Sequence, residues 1–194
     1  VINAYPQADA FGMTFIQGLQ YRIIVNHTEH GLDLKFTARN IRDDVTFHNV
    51  VGVPCLGSPS DTFLDTGLQR TMILVDDILT PLENTDRGTG DACRTHYRVG
   101  DMAPIKYCAE PFWGALSQTV ATQGAILRTS VDGRFTIGTA WEQVTEVWDN
   151  QDAHGCLHSN FSLGDIAPGE TRSICGRIVL VEGSPEEALR LLPW

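Results

Sequence analysis

The chain has 194 residues, 42% hydrophobic and 20% charged, enough to bury a sizeable core in one domain spanning 1–194. Its formal net charge is -10, from 24 acidic and 14 basic residues, with no basic cluster to offset it. Such a surface repels phosphate backbones and anionic lipid, and no apolar run nears the roughly 20 residues that span a bilayer, so neither nucleic acid nor membrane is an expected partner.

Period-two alternation, the mark of half-buried strands, dominates the chain. "QYRIIVNHT" (20–28) and "LDLKFTARN" (32–40) read as strands joined by the turn "EHG" at 29–31. In the second, Leu32, Leu34, Phe36 and Ala38 point one way, and Asp33, Lys35, Thr37 and Arg39 the other. The charged turn "RDD" (42–44) leads into a strand over "VTFHNVVGV" (45–53). Residues 54–68 and 83–93 are rich in Gly, Pro, Ser, Thr and Asp and read as long loops, a length that favours function. Between them "RTMILVDD" (70–77) reads as a strand, and "RTHYRV" (94–99) as a weaker one.

Asp132–Gly133, between "ILRTS" and "RFTIGTAW", is the strongest hairpin signal, because glycine accepts the positive φ of a tight turn. In the strand that follows, Phe135, Ile137, Thr139 and Trp141 share a face. "APGET" (167–171) turns into the last long strand, with Ile174, Ile178 and Leu180 on one face. Ser184 as N-cap, Pro185 at the first helical position and Glu186 and Glu187 in the first turn start one helix. Short strands at intervals of about ten residues, closed by one helix, describe an all-β fold: an antiparallel β-sandwich with one short C-terminal helix. A closed barrel is the competing architecture.

Five cysteines, at 55, 93, 108, 156 and 175, form no CxxC pair, so a zinc ribbon or thioredoxin-like site has no support. The odd count points to reduced thiols and a cytoplasmic location; a secreted or periplasmic one stays open if a leader preceded Val1.

The stretch "AHGCLHSN" (153–160) places His154 and His158 on either side of Cys156. On a strand the three share a face, and the rise per residue sets the two histidines about 13 Å apart. One zinc ion, with ligand bonds of about 2 Å, cannot hold both. Cys156 and His158 could chelate together, but only with ligands from elsewhere. A Cys–His nucleophile and base is a second reading, and a structural strand is the default. His27 and His30 read as a solvated hairpin end, and His48 as a core histidine. His96, beside Tyr97 and after a glycine-rich loop, shares a face with Arg98 and offers a general acid or base. Its competing reading is the exposed polar face of a sheet.

Trp113, in "AEPFWG" after Lys106 and Tyr107, sits in a segment without periodicity and is a candidate ligand platform. Trp141 falls on the core face of its strand, and Glu142 points the other way. Indole rings stack on the C–H faces of sugars, and carboxyl pairs about 5 to 10 Å apart do glycosidic chemistry. GxGxxG, P-loop, GxSxG and HExxH signatures are all missing, so nucleotide-driven and hydrolase-elbow chemistry have no support.

"SVDGRFTIGTAWEQV", "GCLHSNFSLGDIAPGETRSICGRIVLVEG" and the earlier "LKFTARNIRDDVTFHNVVGVPCL" are similar to a group of poorly characterised bacterial β-sandwich proteins. Their look is distantly that of the galactose-mutarotase-like sandwiches. The resemblance covers about half of the chain in scattered blocks, and "CLHS" is its most specific motif. It implies a sandwich associated with carbohydrate catabolism. Cys156, Leu157, His158 and Ser159 match that motif, and no role is carried over with them.

The expectation is thus a carbohydrate-active enzyme of hydrolase, lyase or isomerase type. His158, His96, Glu142, Tyr97 and Lys106 are its candidate acid–base groups, with Trp113 and Arg128 as substrate contacts. The expected partner is a sugar or glycan, a homo-oligomer is allowed, and cofactor and metal content stay open. The alternatives are a non-catalytic carbohydrate-binding sandwich and a small His/Cys metalloprotein. A working His158 should lie in a cleft beside His96 or Glu142, with His154 dispensable.

Overall fold

Alternating apolar residues can bury one face of a strand only against a second layer, and here two sheets supply that layer for each other. The computed structural model describes residues 4–7, 10–13, 18–88, 94–101, 114–150 and 155–192. The strands of the first half are β1 (Ala4–Gln7), β2 (Ala10–Met13), β3 (Leu19–Thr28), β4 (Gly31–Asn40), β5 (Phe47–Gly52), β6 (Cys55–Leu56), β7 (Thr71–Val75) and β8 (Ile78–Pro81). Those of the second half are β9 (Arg94–Arg98), β10 (Ala115–Leu116), β11 (Ile126–Thr129), β12 (Phe135–Trp141), β13 (Val144–Asn150), β14 (Leu157–Ile166) and β15 (Thr171–Glu182). The helix α1 (Pro185–Leu191) follows. It is neither long nor apolar enough to cross a membrane.

A seven-stranded sheet runs β3-β4-β15-β12-β11-β7-β8. The six-stranded sheet runs β10-β9-β13-β14-β5, with β6 also paired to β14. β1 and β2 form a separate hairpin. All pairings in the two large sheets are antiparallel except β10 with β9. The expected β-sandwich with one C-terminal helix is therefore the fold.

The main core lies between the sheets. Phe36, Ile126, Ile137, Trp141 and Ile174 enter it from one side, and Val50, Tyr97, Val147, Leu157 and Phe161 from the other. At its centre Phe161 meets Phe36 at a centroid distance of 5.5 Å and Trp141 at 4.7 Å. Each large ring lies over a glycine directly opposite on the neighbouring strand, Phe161 over Gly52 and Trp141 over Gly176. A Cβ at Gly52 would stand 2.1 Å from Phe161 Cζ, and one at Gly176 would stand 2.3 Å from Trp141 Cδ2.

A smaller cluster lies on the outer face of the seven-stranded sheet, where α1 sets Ala188 and Leu192 against Leu127, Ala140, Val179 and Val181. The last strand keeps its expected facing, and the second cover changes which face is buried near its end. Ile174 is in the main core, but Leu180 is 46% exposed, while Val179 and Val181 are buried under the helix. The helix start is as expected: Ser184 accepts from the Glu187 amide and the Glu187 carboxylate accepts from the Ser184 amide, a reciprocal capping box. Ser184→Ala should lower stability by about 1 kcal/mol in urea denaturation. A change below about 0.3 kcal/mol would mean that the box contributes nothing.

The Val131–Gly133 turn forms as expected, with Gly133 at φ +72° and Asp132 accepting from the Ser130 hydroxyl. His27 and His30 are exposed at the β3–β4 hairpin end, also as expected. His48 is not a core histidine. It is exposed and pairs with Asp165 at 2.9 Å. Register shifts in β14 opposite β5, and a positive φ at Asn49, turn this end of β5 outward.

Candidate functional site: a polar row on the outer face of the six-stranded sheet

Side chains alternate along β9, β13 and β14, so the neighbours of the core residues Tyr97, Val147 and Leu157 point away from the sandwich. Those neighbours are His96, Trp148 and His158, and strand register sets them in line. Cys55 of β6 stands opposite His158, His158 opposite Trp148, and Trp148 opposite His96. Such a row on the outer face of a sandwich is normally solvated. This one is buried, with His96 at 1%, Trp148 at 2% and His158 at 5% exposure.

The three rings form one stack. Trp148 and His158 lie 3.5 Å apart between centroids and 3° from parallel, and Trp148 and His96 lie 4.8 Å apart at 21°. One residue pair along, Glu146 of β13 faces Asn160 of β14. Glu146 Oε1 accepts from Asn160 Nδ2 at 2.7 Å and lies 3.1 Å from His96 Nδ1. A carboxylate at Nδ1 favours the tautomer that carries its proton there. Gly114 approaches the opposite edge of the same ring, where a Cβ would stand 3.1 Å from Nε2.

At the other end of the row three metal-type ligands converge. Cys55, Cys156 and His158 each place a ligand atom within 4.8 Å of the others. Cys55 is exposed, whereas Cys156 and His158 are buried. Burial lowers the His158 pKa, and hydrogen bonding with Cys156 and with the Pro54 backbone opposes that shift without reversing it. His158 is therefore neutral at physiological pH. Its Nδ1 has no hydrogen-bond partner.

His96 and His158 are thus brought to one row, but on opposite faces of Trp148 and not in direct contact. Glu142 lies apart, in the turn between β12 and β13, where its carboxylate accepts from the Cys175 amide at 2.7 Å. Tyr97 points the other way from His96, into the core. Its hydroxyl meets Thr85 at 2.8 Å and accepts from Arg87 at 3.1 Å, and burial raises its pKa.

Arg128 also lies between the sheets rather than at a ligand surface, at 1% exposure. Its guanidinium donates to Asp149, to the Gly155 and Phe63 carbonyls, and to the hydroxyls of Ser58 and Thr71. Through these bonds Arg128 ties β11 to β13 and to the 58–63 loop. Lys106, Trp113 and His154 lie outside the described residues.

Glu146, Trp148, Asn160 and Cys55 are the residues of this face that sequence reasoning passed over. One signal was available: in "VTEVW" Glu146 and Trp148 sit two apart and flank Val147, the pattern of a polar face opposite a core valine.

Among the described residues whose side chains are placed, no Phe, Tyr or Trp is exposed, and Phe47 and Phe135 are half-buried. Both faces of Trp148 are covered by imidazoles.

No family model matches the chain, and no curated protein matches it. Among solved structures it is similar to the Slr1438 protein from Synechocystis sp. PCC 6803, at 9% identity and a TM-score of 0.48. That match takes in 85% of this chain and 55% of the other, so the chain spans about half the length of the protein it matches.

Proposed function

We propose that the protein is a carbohydrate-active enzyme in which His96 is the general acid or base and Glu146 holds it in place. The observation that supports this reading is the His96–Glu146 pair, 3.1 Å apart, with both groups 1% exposed on the outer side of a sheet whose inner side already forms the core. A buried carboxylate on one imidazole nitrogen fixes the tautomer and the orientation of the ring. Asn160 fixes the carboxylate in turn. Sugar as the substrate class rests on the sequence resemblance.

The test is a panel of chromogenic aryl glycosides, followed by polarimetry on free aldoses. His96→Asn should lower kcat/KM by at least about 100-fold in protein whose circular dichroism spectrum matches that of the parent. Glu146→Gln should also lower kcat/KM, because it weakens the contact that fixes the His96 tautomer. Full turnover by a folded His96→Asn protein would overturn the assignment. So would a parent protein that turns over nothing in the panel.

A further inference from the structure

We propose that Cys55, Cys156 and His158 form a zinc site with one coordination position left for water or an incoming ligand. The proposal goes beyond the acid–base reading and shares no residue with it. Each ligand is placed by sheet geometry. His158 and Cys156 are two residues apart and so project to one face. Cys55 joins them because β6 pairs with β14 in the register that sets Cys55 opposite His158. The expected objection to "HGCLH", that one ion cannot hold both histidines of a strand, does not apply to this set. The third ligand comes from a different strand.

Zinc bound by two thiolates and an imidazole, with bonds of about 2.0–2.3 Å, sets neighbouring ligand atoms roughly 3.5–3.8 Å apart. The observed ligand atoms lie within 4.8 Å of one another, so closing on an ion takes about 1 Å of side-chain adjustment. His158 is prepared for that role. A metal-bound histidine commonly gives its other ring nitrogen to a carbonyl. Here the ring hydrogen-bonds Cys156 and the Pro54 backbone, while Nδ1, buried to more than nine-tenths, has no hydrogen-bond partner. A neutral imidazole nitrogen without a partner costs free energy in a buried site, and a cation removes that cost.

A disulfide is the competing use of two neighbouring thiols, and the register disfavours it. Cys55 faces His158, so Cys156 is its diagonal neighbour, at a Cα separation of about 7–8 Å for regular strands. Disulfides usually need about 4.4–6.8 Å. An intervening ion spans the wider gap. Two sulfur donors and one nitrogen select a borderline or soft cation over calcium or magnesium. Three protein ligands with an open fourth position is the pattern of zinc sites that bind or activate a ligand rather than only brace a fold. Cys55, the exposed member, sets that open position toward solvent.

The test uses the full chain without a histidine tag, stripped with chelator under reducing conditions and titrated with cobalt(II) and then zinc. One equivalent of cobalt should bind with thiolate charge-transfer absorption, and zinc should displace it with release of thiol protons. Cys55→Ser, a change at an exposed position, and His158→Asn should each weaken zinc binding by at least about 100-fold, more than the loss of an outer-shell partner costs. Cys175→Ser, on the other sheet, should leave binding unchanged. A natively folded parent that shows no charge-transfer band overturns the proposal. Zinc affinity that survives Cys55→Ser overturns it as well. If sugar turnover fails while these results hold, the zinc site stands and only the acid–base reading falls.

Discussion

Replacing Arg128 with alanine should destabilise the protein by about 3–5 kcal/mol, the cost of leaving a buried charge without its partner. Asp149 is fully buried, its Oδ1 accepts from Arg128, and its Oδ2 has no hydrogen-bond partner. Arg128 also holds the Thr71 hydroxyl at 2.8 Å, and Thr71 in turn donates to Asp65 at 2.7 Å. Removing the guanidinium therefore exposes two buried carboxylates to each other's charge. Burial, opposed by Arg128, already lifts the Asp149 pKa from 3.8 to about 6. Between those values the folded state holds a proton that the unfolded chain has released. Asp149 thus contributes most to stability below about pH 4, and that contribution is lost as pH rises through about 6.

The Arg128→Ala penalty should then be larger at about pH 8 than at about pH 5, measured as urea midpoints at constant m-value. An equal penalty at both values would remove Asp149 from the account. The double replacement Arg128→Met with Asp149→Leu should recover much of the loss, since a buried pair is often matched by apolar groups of similar size.

Phe161→Ala should cost about 3–5 kcal/mol, the range for emptying an aromatic site in a packed core. The ring bridges the sheets, touching Phe36 and Trp141 of one while lying over Gly52 of its own. Glycine has no side chain to fall into the void, so relaxation around the cavity is limited. Phe161→Leu should lose much less, because it keeps most of the volume. Calorimetry or urea titration that gave Phe161→Ala a loss below about 1.5 kcal/mol would show that the two sheets close over the gap.

The strands with one wet face were legible in the sequence. β4 and the start of β15 alternate cleanly because a single apolar face meets the core, and β12, though buried on both faces, alternates because its outer face carries only Thr136, Gly138 and Ala140. β13 was not legible, and the reason is physical. It carries polar groups on both faces, Glu146 outward and Asp149 inward to Arg128, so no apolar stripe marks it. The irregular pairing between Val144 and Glu146 also sets two core valines, Val144 and Val147, three residues apart instead of two. In sequence Glu142 stands out from Glu146 because nothing in the pattern marks Val144–Asn150 as a strand. Arg128 looks in sequence like any polar residue of an amphipathic strand. Only the packed sandwich turns it into a buried tie. Cys55 and His158 are about a hundred residues apart in sequence, and their pairing exists only as a register between β6 and β14.

The order of strands in the seven-stranded sheet has a consequence for how the chain is made. β15 is the last strand of the described chain, yet it lies between β4, made early, and β12. Until residues 171–182 have left the ribosome, β4 and β12 each present an open edge with no partner. The nascent chain therefore cannot complete its larger sheet before residues 171–182 are made, and closure waits for a segment far from β4 in sequence. A protein arranged this way spends its synthesis with two adhesive edges exposed, and its demand for chaperone protection should end abruptly when β15 slots between them.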